Sequence, residues 1–146
     1  MEQLELQLDS FDAPERHDAL VALVEHWRVG GIELPEAGSH VNLHIHSFYS
    51  YNAYGYSPSK AAWLAKKHGL AVAGIMDFDT LEGAEEFFDA AAMLDVKACV
   101  GMETRVFVPE FAERVGEELR PGRESLLDGI GPDASPDSIL SRIRAG

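Results

Sequence analysis

The chain has 146 residues, of which 46% are hydrophobic, and its 25 acidic and 12 basic side chains give a formal net charge of −13 at pH 7. This length suits one domain with a hydrophobic core, and the composition excludes a disordered or fibrous protein. The excess negative charge repels nucleic-acid phosphates and anionic lipids, which excludes a broad nucleic-acid or membrane-binding surface. We therefore expect a single folded domain over residues 1–146.

The charge is unevenly distributed along the chain. Residues 37–76 contain no Asp or Glu, and they include His40, His44, His46 and His68. The sequence has one cysteine, no basic stretch followed by an apolar run at its start, and no apolar run close to the roughly 20 residues of a membrane span. These features predict a cytoplasmic protein.

The first elements are predicted from the spacing of apolar residues. Leucines at every second position alternate with polar residues over residues 4–8, which predicts an edge strand. Asp12 and Glu15 form a capping-box-like pair before a helix near residues 13–28, which Gly30 and its neighbouring glycine end.

Three further strands are predicted, with helices between them. The strands are expected over residues 41–45, 72–76 and 98–101, with more strand at 104–108, and the helices over residues 57–69 and 82–94. Strands that alternate with helices predict right-handed crossovers and a parallel sheet, which is the α/β fold class. Residues 109–146 have a weaker pattern and are expected to form an irregular or helical tail.

Potential ligands follow the ends of these strands, where the functional sites of parallel α/β folds form. The residues concerned are His44, His46, Asp77, Asp79 and Glu103. An isolated His-x-His pair is more often solvated or hydrogen-bonded than metal-binding, but here it coincides with carboxylates at matching strand ends. We therefore expect a metal site of His44, His46, Asp77 and Glu103, whose donors suit Zn²⁺, Mn²⁺ or Fe²⁺ better than Ca²⁺.

Two neighbouring residues allow two interpretations each. Asp79 either contributes to the chemistry of this site or caps the next helix with Glu82 as its capping-box partner. Arg105 either forms an ion pair with Glu103 on the same strand face, which we favour, or contacts a substrate phosphate.

Three short motifs, in this order, resemble the polymerase and histidinol phosphatase (PHP) family. They are His44-Ile45-His46-Ser47 with Ser50, then Asp77-Phe78-Asp79 with Glu82-Gly83, and finally Gly101-Met102-Glu103. The resemblance is strongest over residues 41–108. It implies the N-terminal portion of a (β/α)₇ barrel, with divalent metal ions at the strand ends that hydrolyse phosphate esters through an activated water. His44 and His46 match the first ligand pair of the family, Asp77 the aspartate of the second motif and Glu103 the glutamate of the third.

The sequence departs from the family pattern at three points. Phe78 stands where the family has a histidine ligand, Tyr51 stands where it has an acidic residue, and no histidine follows His68, although the family takes further ligands from later strands. We therefore expect an incomplete PHP-like domain, completed by a missing C-terminal half or by a homodimer.

The resulting functional hypothesis is a phosphoesterase that acts on a phosphorylated small molecule or a nucleotide end, as part of a longer chain or an assembly. The alternatives are a non-catalytic PHP-like metal-binding module and, less favoured, an amidohydrolase-like metal hydrolase.

Overall fold

A computed structural model describes residues 1–50 and 55–104 of the chain. The elements, in chain order, are α1 (Glu2–Gln7), α2 (Ala13–Arg28), β1 (Val41–Ile45), α3 (Pro58–Lys67), β2 (Val72–Phe78), α4 (Ala84–Met93) and β3 (Lys97–Glu103). They belong to one compact unit, Met1–Arg105. The predictions for residues 105–146 lie outside the described residues, and the single-domain assignment stays a prediction. No helix in the described ranges is long and apolar enough to cross a membrane.

The three strands form a parallel sheet in the order β1-β2-β3. Consecutive strands are therefore neighbours, with α3 between β1 and β2 and α4 between β2 and β3. The predicted fold class of parallel strand-helix repeats is confirmed, and this unreversed strand order is the arrangement of part of a (β/α) barrel. The prediction that β2 is buried is also confirmed, because every residue of this central strand is buried or half-buried.

The core lies between the sheet and the four helices. One cluster of buried side chains joins them, with Trp63 of α3, Phe87 of α4 and Ile75 of β2 among its largest members. Val41 and Leu43 of β1, by contrast, are exposed. Among the described residues β1 pairs with one strand only. The pairing of β1 with β2 is also irregular between Asn42 and Ile45. The even alternation expected for β1 is therefore interrupted by a bulge-like shift.

The predicted edge strand over residues 4–8 is wrong, because these residues belong to α1 and its C-terminal cap. Leu4 and Leu8 lie about one helical turn apart; Leu8 is 0% exposed and Leu4 packs against the core. Leu6 is 62% exposed. A strand would have placed all three leucines on one face, whereas only Leu4 and Leu8 contact the core.

The prediction of α2 is confirmed, but the predicted capping box is not. Asp12 occupies the N-cap position and makes no side-chain capping hydrogen bond. Glu15 instead accepts hydrogen bonds from Gln7 Nε2 at 3.1 Å and from Ser10 Oγ at 2.5 Å. The Glu15 carboxylate therefore joins α2 to the end of α1, and hydrogen bonds from Ser10 and Gln7 lower its pKa.

The prediction of α3 is confirmed at both ends. Ser57 Oγ accepts a hydrogen bond from Lys60 N at 2.9 Å, which caps the first turn, and Pro58 takes the following position. Gly69 follows the helix with a φ of 62°, the left-handed conformation that glycine adopts without strain.

An ion pair between a buried arginine and a half-buried glutamate connects α2 with α4. The guanidinium of Arg16 is 2% exposed and binds both carboxylate oxygens of Glu86, with Nε 2.9 Å from Oε1. Ser59, at the start of α3, donates its N–H and its hydroxyl to the same Oε1 atom, at 3.1 and 2.7 Å. Burial raises the pKa of Glu86, but the hydrogen bonds from Arg16 and Ser59 lower this pKa by a larger amount. The net shift is therefore downward.

Candidate metal centre

Three side chains with metal-ligating atoms converge at the carboxyl ends of the strands. His44, His46 and Glu103 each place one potential ligand atom within 4.8 Å of the other two. His44 Nε2 lies 2.9 Å from Glu103 Oε1, and the two histidine rings lie 5.0 Å apart in an edge-to-face arrangement. The side chain of His44 is 58% exposed, so solvent reaches the group directly.

The sheet order explains how residues 59 positions apart in the chain come together. His44 lies in β1 and Glu103 is the last residue of β3, so β2 runs between them. Parallel strands are about 4.8 Å apart, and the two side chains therefore meet above the end of β2. Glu103 is fixed in register there, since it pairs with Phe78 and its carbonyl accepts a hydrogen bond from Asp79 N at 2.8 Å.

His46 is held by contacts with β2 and with the turn that follows β1. Its ring stacks on the ring of Phe78, with centroids 5.1 Å apart and planes 5° from parallel. Its Nδ1 lies 3.5 Å from Ser50 Oγ, and Ser50 Oγ accepts a hydrogen bond from Phe78 N at 3.2 Å. With Nδ1 beside Ser50, Nε2 is the nitrogen left to bind a cation.

The structure does not bring Asp77 into this group. Asp77 is 2% exposed, and its two carboxylate oxygens accept hydrogen bonds from Ser47 N and Ser47 Oγ, both at 2.6 Å. Successive residues of a strand point to opposite faces, so Asp77 faces away from the side on which Phe78 stacks on His46. The sequence motif placed Asp77 correctly at the end of β2. It did not show on which face of the sheet the Asp77 side chain lies.

Asp79 follows β2 as an exposed residue, and its ligand atoms lie outside the group of three. The prediction that it caps the next helix is wrong, because α4 begins at Ala84 with Gly83 as its N-cap. Asp79 instead adopts a φ of 56°, a left-handed conformation that aspartate tolerates better than most residues. Arg105, the predicted partner of Glu103, lies outside the described residues.

The sequence interpretation missed the supporting roles of Ser47, Ser50 and Phe78. The two serines belong to the first of the three motifs, and this is the signal that could have identified them. Their partners, however, are on β2, and only the pairing of β1 with β2 shows which residues face each other.

The donor types suit a divalent transition-metal ion. Two imidazole nitrogens and one carboxylate oxygen form a set that zinc and iron sites use. Two ligands bound tetrahedrally to one ion at 2.0–2.1 Å lie about 3.3 Å apart. The 2.9 Å between His44 and Glu103 is within a few tenths of an ångström of that separation.

The comparisons of sequence with known proteins agree with the motifs. Error-prone DNA polymerases of Mycobacterium bovis and Mycobacterium tuberculosis are 33% identical over 95 residues, which is 65% of this chain and 8% of theirs. The chain thus spans a small part of these relatives. A crystal structure from Bifidobacterium adolescentis, titled as that of a metal-dependent phosphoesterase, aligns with a TM-score of 0.45 and 20% identity, covering 78% of this chain and 46% of the other. The model of the PHP domain matches residues 42–130, which is more than half of the sequence, and the chain therefore belongs to the PHP domain family.

Proposed function

We propose that the chain contributes the metal-binding part of a phosphoesterase site, in which His44, His46 and Glu103 hold a divalent cation. The observation that carries this proposal is the convergence of their ligand atoms within 4.8 Å at the strand ends of a PHP domain. The proposed cations are Mn²⁺, Zn²⁺ and Fe²⁺, because two imidazoles and a carboxylate suit these ions better than Ca²⁺.

Each residue has a distinct proposed role. A cation bound there would lower the pKa of a coordinated water towards 7 and neutralise charge on the phosphoryl oxygens of an ester. His44 and Glu103 would form the solvent-facing side of the site, since the His44 side chain is largely exposed. His46 would supply the more rigid ligand, because Phe78 stacks on its ring and Ser50 lies beside Nδ1.

We further propose that catalysis requires a longer polypeptide or an assembly. Catalytic zinc sites keep three protein ligands and one open position, and the described trio offers the same number of donors. Phe78 cannot ligate, and a second ion would need donors from elsewhere. The proposed substrate is a phosphorylated small molecule or a nucleotide end, and the relationship to DNA polymerases favours the nucleotide end.

A second candidate function is a metal-binding module without catalytic activity. The stack of Phe78 on His46 favours it, because an apolar ring occupies the position of a ligand in the family pattern. Under this proposal the trio would bind a cation for structural purposes or for assembly.

Metal content tests the site itself. Purified protein loaded with Mn²⁺ or Zn²⁺ and then desalted should retain about one ion per chain, and His44→Ala with His46→Ala should abolish retention. His17→Ala, which removes an exposed histidine from α2, is the matched control and should retain the ion. Unchanged metal content in the double variant would reject the site.

Turnover separates the two candidate functions. In a polypeptide or assembly that completes the site, hydrolysis of p-nitrophenyl phosphate with added Mn²⁺ should depend on Glu103. Glu103→Ala should abolish it, while Glu85→Ala, which removes an exposed acid of α4, should not. Metal binding without turnover in such a polypeptide or assembly would favour the non-catalytic module.

A further inference from the structure

We infer that Asp77 is a positioning residue that holds the turn after β1 in place, and that it does not ligate the cation. This inference rests on the proposed metal site and assigns Asp77 a role different from the one that its motif suggested. The juxtaposition that carries it is a doubly hydrogen-bonded contact between Asp77 at the end of β2 and Ser47, the residue that follows His46.

The contact is buried and uses both carboxylate oxygens. Oδ1 accepts from Ser47 N and Oδ2 accepts from Ser47 Oγ, both at 2.6 Å, while Ser47 is 0% exposed and Asp77 2% exposed. Hydrogen bonds to an ionised acceptor are stronger than those between neutral groups. In a buried position, a donor or acceptor left without a hydrogen bond destabilises the fold. Asp77 therefore fixes the backbone and the hydroxyl of Ser47 at the same time.

Ser47 passes this constraint to the turn that carries Ser50. Its carbonyl accepts from Ser50 N at 2.9 Å, and its hydroxyl oxygen accepts from Tyr49 N at 3.3 Å. Ser50 in turn lies beside His46 Nδ1 and accepts from Phe78 N. Asp77 thus acts on His46 from the opposite face of the sheet, through the backbone of the turn and not through the ion.

The expected effect is that of an outer-shell partner. Changes to residues that orient metal ligands weaken metal binding by 10–100-fold, whereas loss of a ligand abolishes it. Asp77→Asn keeps one acceptor for Ser47 N but turns an amide donor towards Ser47 Oγ. We expect it, and Ser47→Ala, to weaken Co²⁺ binding by about 10–100-fold with the stoichiometry kept.

The experiment is a double-mutant cycle on the dissociation constant for Co²⁺, followed by its visible absorption. Asp77 and Ser47 make one contact, so their substitutions should not be additive. The combined variant should bind Co²⁺ at most about threefold more weakly than the single variant with the lower Co²⁺ affinity. Asp89→Asn removes the same charge from the exposed face of α4 and should leave the affinity unchanged. Circular dichroism confirms that each variant is folded.

A second measurement needs no metal. The stacked Phe78 ring should shift the ring protons of His46 upfield. In metal-free Asp77→Asn these NMR signals should move, while those of His17 should stay in place. Loss of stoichiometric binding in Asp77→Asn, as in His44→Ala, would show that Asp77 is a ligand and overturn the inference. Wild-type affinity and unmoved His46 signals would overturn it equally. If the wild-type chain bound no Co²⁺, the proposed function would fail, and the NMR signals would still decide the inference.

Discussion

Removal of the charge of Glu86 should destabilise the fold, because it leaves the guanidinium of Arg16 buried without its counter-ion. Arg16 is 2% exposed, and it also donates a hydrogen bond to the carbonyl of Ser10 at 2.8 Å, which carries no compensating charge. Breaking a buried ion pair by removing one partner costs about 3–5 kcal/mol. Glu86→Gln retains an acceptor for Arg16 and Ser59, so we expect the lower end, about 3 kcal/mol, or a fall in the melting temperature of about 10 °C.

The assay is thermal or urea unfolding followed by circular dichroism, with Glu85→Gln as the matched control. Glu85 is the adjacent acid of α4 and is exposed, so its substitution should change the free energy of unfolding by less than about 0.5 kcal/mol. Arg16→Met combined with Glu86→Gln should be more stable than Glu86→Gln alone, because no unpaired charge is then buried. Equal effects of the two glutamate substitutions would refute the reasoning.

The same ion pair predicts a pH dependence with a defined sign. The pKa of Glu86 is lowered in the folded protein, so its ionised form stabilises the fold above the unfolded pKa, about 4.3. This contribution is lost as the pH falls through the lower, folded pKa. The difference in stability between the wild type and Glu86→Gln should therefore be full at pH 7 and shrink below about pH 4.3. A difference that grew on acidification would contradict the assignment.

Three further substitutions test other parts of the molecule. Gly74→Ala should cost about 1–3 kcal/mol in urea unfolding, because a Cβ atom there would lie 2.5 Å from Cys99 Sγ in the neighbouring strand. Ser57→Ala removes the N-cap of α3 and should cost about 1 kcal/mol in the same assay, and no loss would show that the cap is dispensable. Phe78→His places an imidazole against His46 and should tighten Zn²⁺ binding in isothermal titration calorimetry. Unchanged affinity would show that position 78 does not reach the ion.

The helix α3 was predicted correctly because both of its ends have local signals. Ser57 followed by proline, and Gly69 in a left-handed conformation, define α3 without reference to the rest of the chain. Residues 4–8 lack such signals, and leucines at every second position fit one face of a strand as well as part of a short helix. The structure is helical here because Leu4 and Leu8, about one helical turn apart, both pack on the core.

The candidate site was predictable in composition but not in orientation. His44, His46 and Glu103 could be chosen because parallel strands end at one edge, a rule that needs only the strand order. The side on which Asp77 and Phe78 lie depends on which residues of β2 face the helices, and Ala73 and Ile75, four and two positions before Asp77, are the ones in the core. Alternation then places Asp77 on the core side and Phe78 with the histidines.

This orientation also bears on how a strongly acidic chain could accept a phosphate. Asp77 is turned away from the trio, and Glu103 is the one carboxylate within it, so a divalent cation with two neutral imidazoles would leave a local charge of +1. The acids at the start of α4 line a different cleft, of about 310 Å³, between α4 and α2. At a Debye length of about 8 Å in physiological salt, charges beyond the immediate surroundings of the ion are largely screened. The net charge of −13 therefore opposes a broad contact with a polyanion but not the binding of one phosphoryl group at the strand ends.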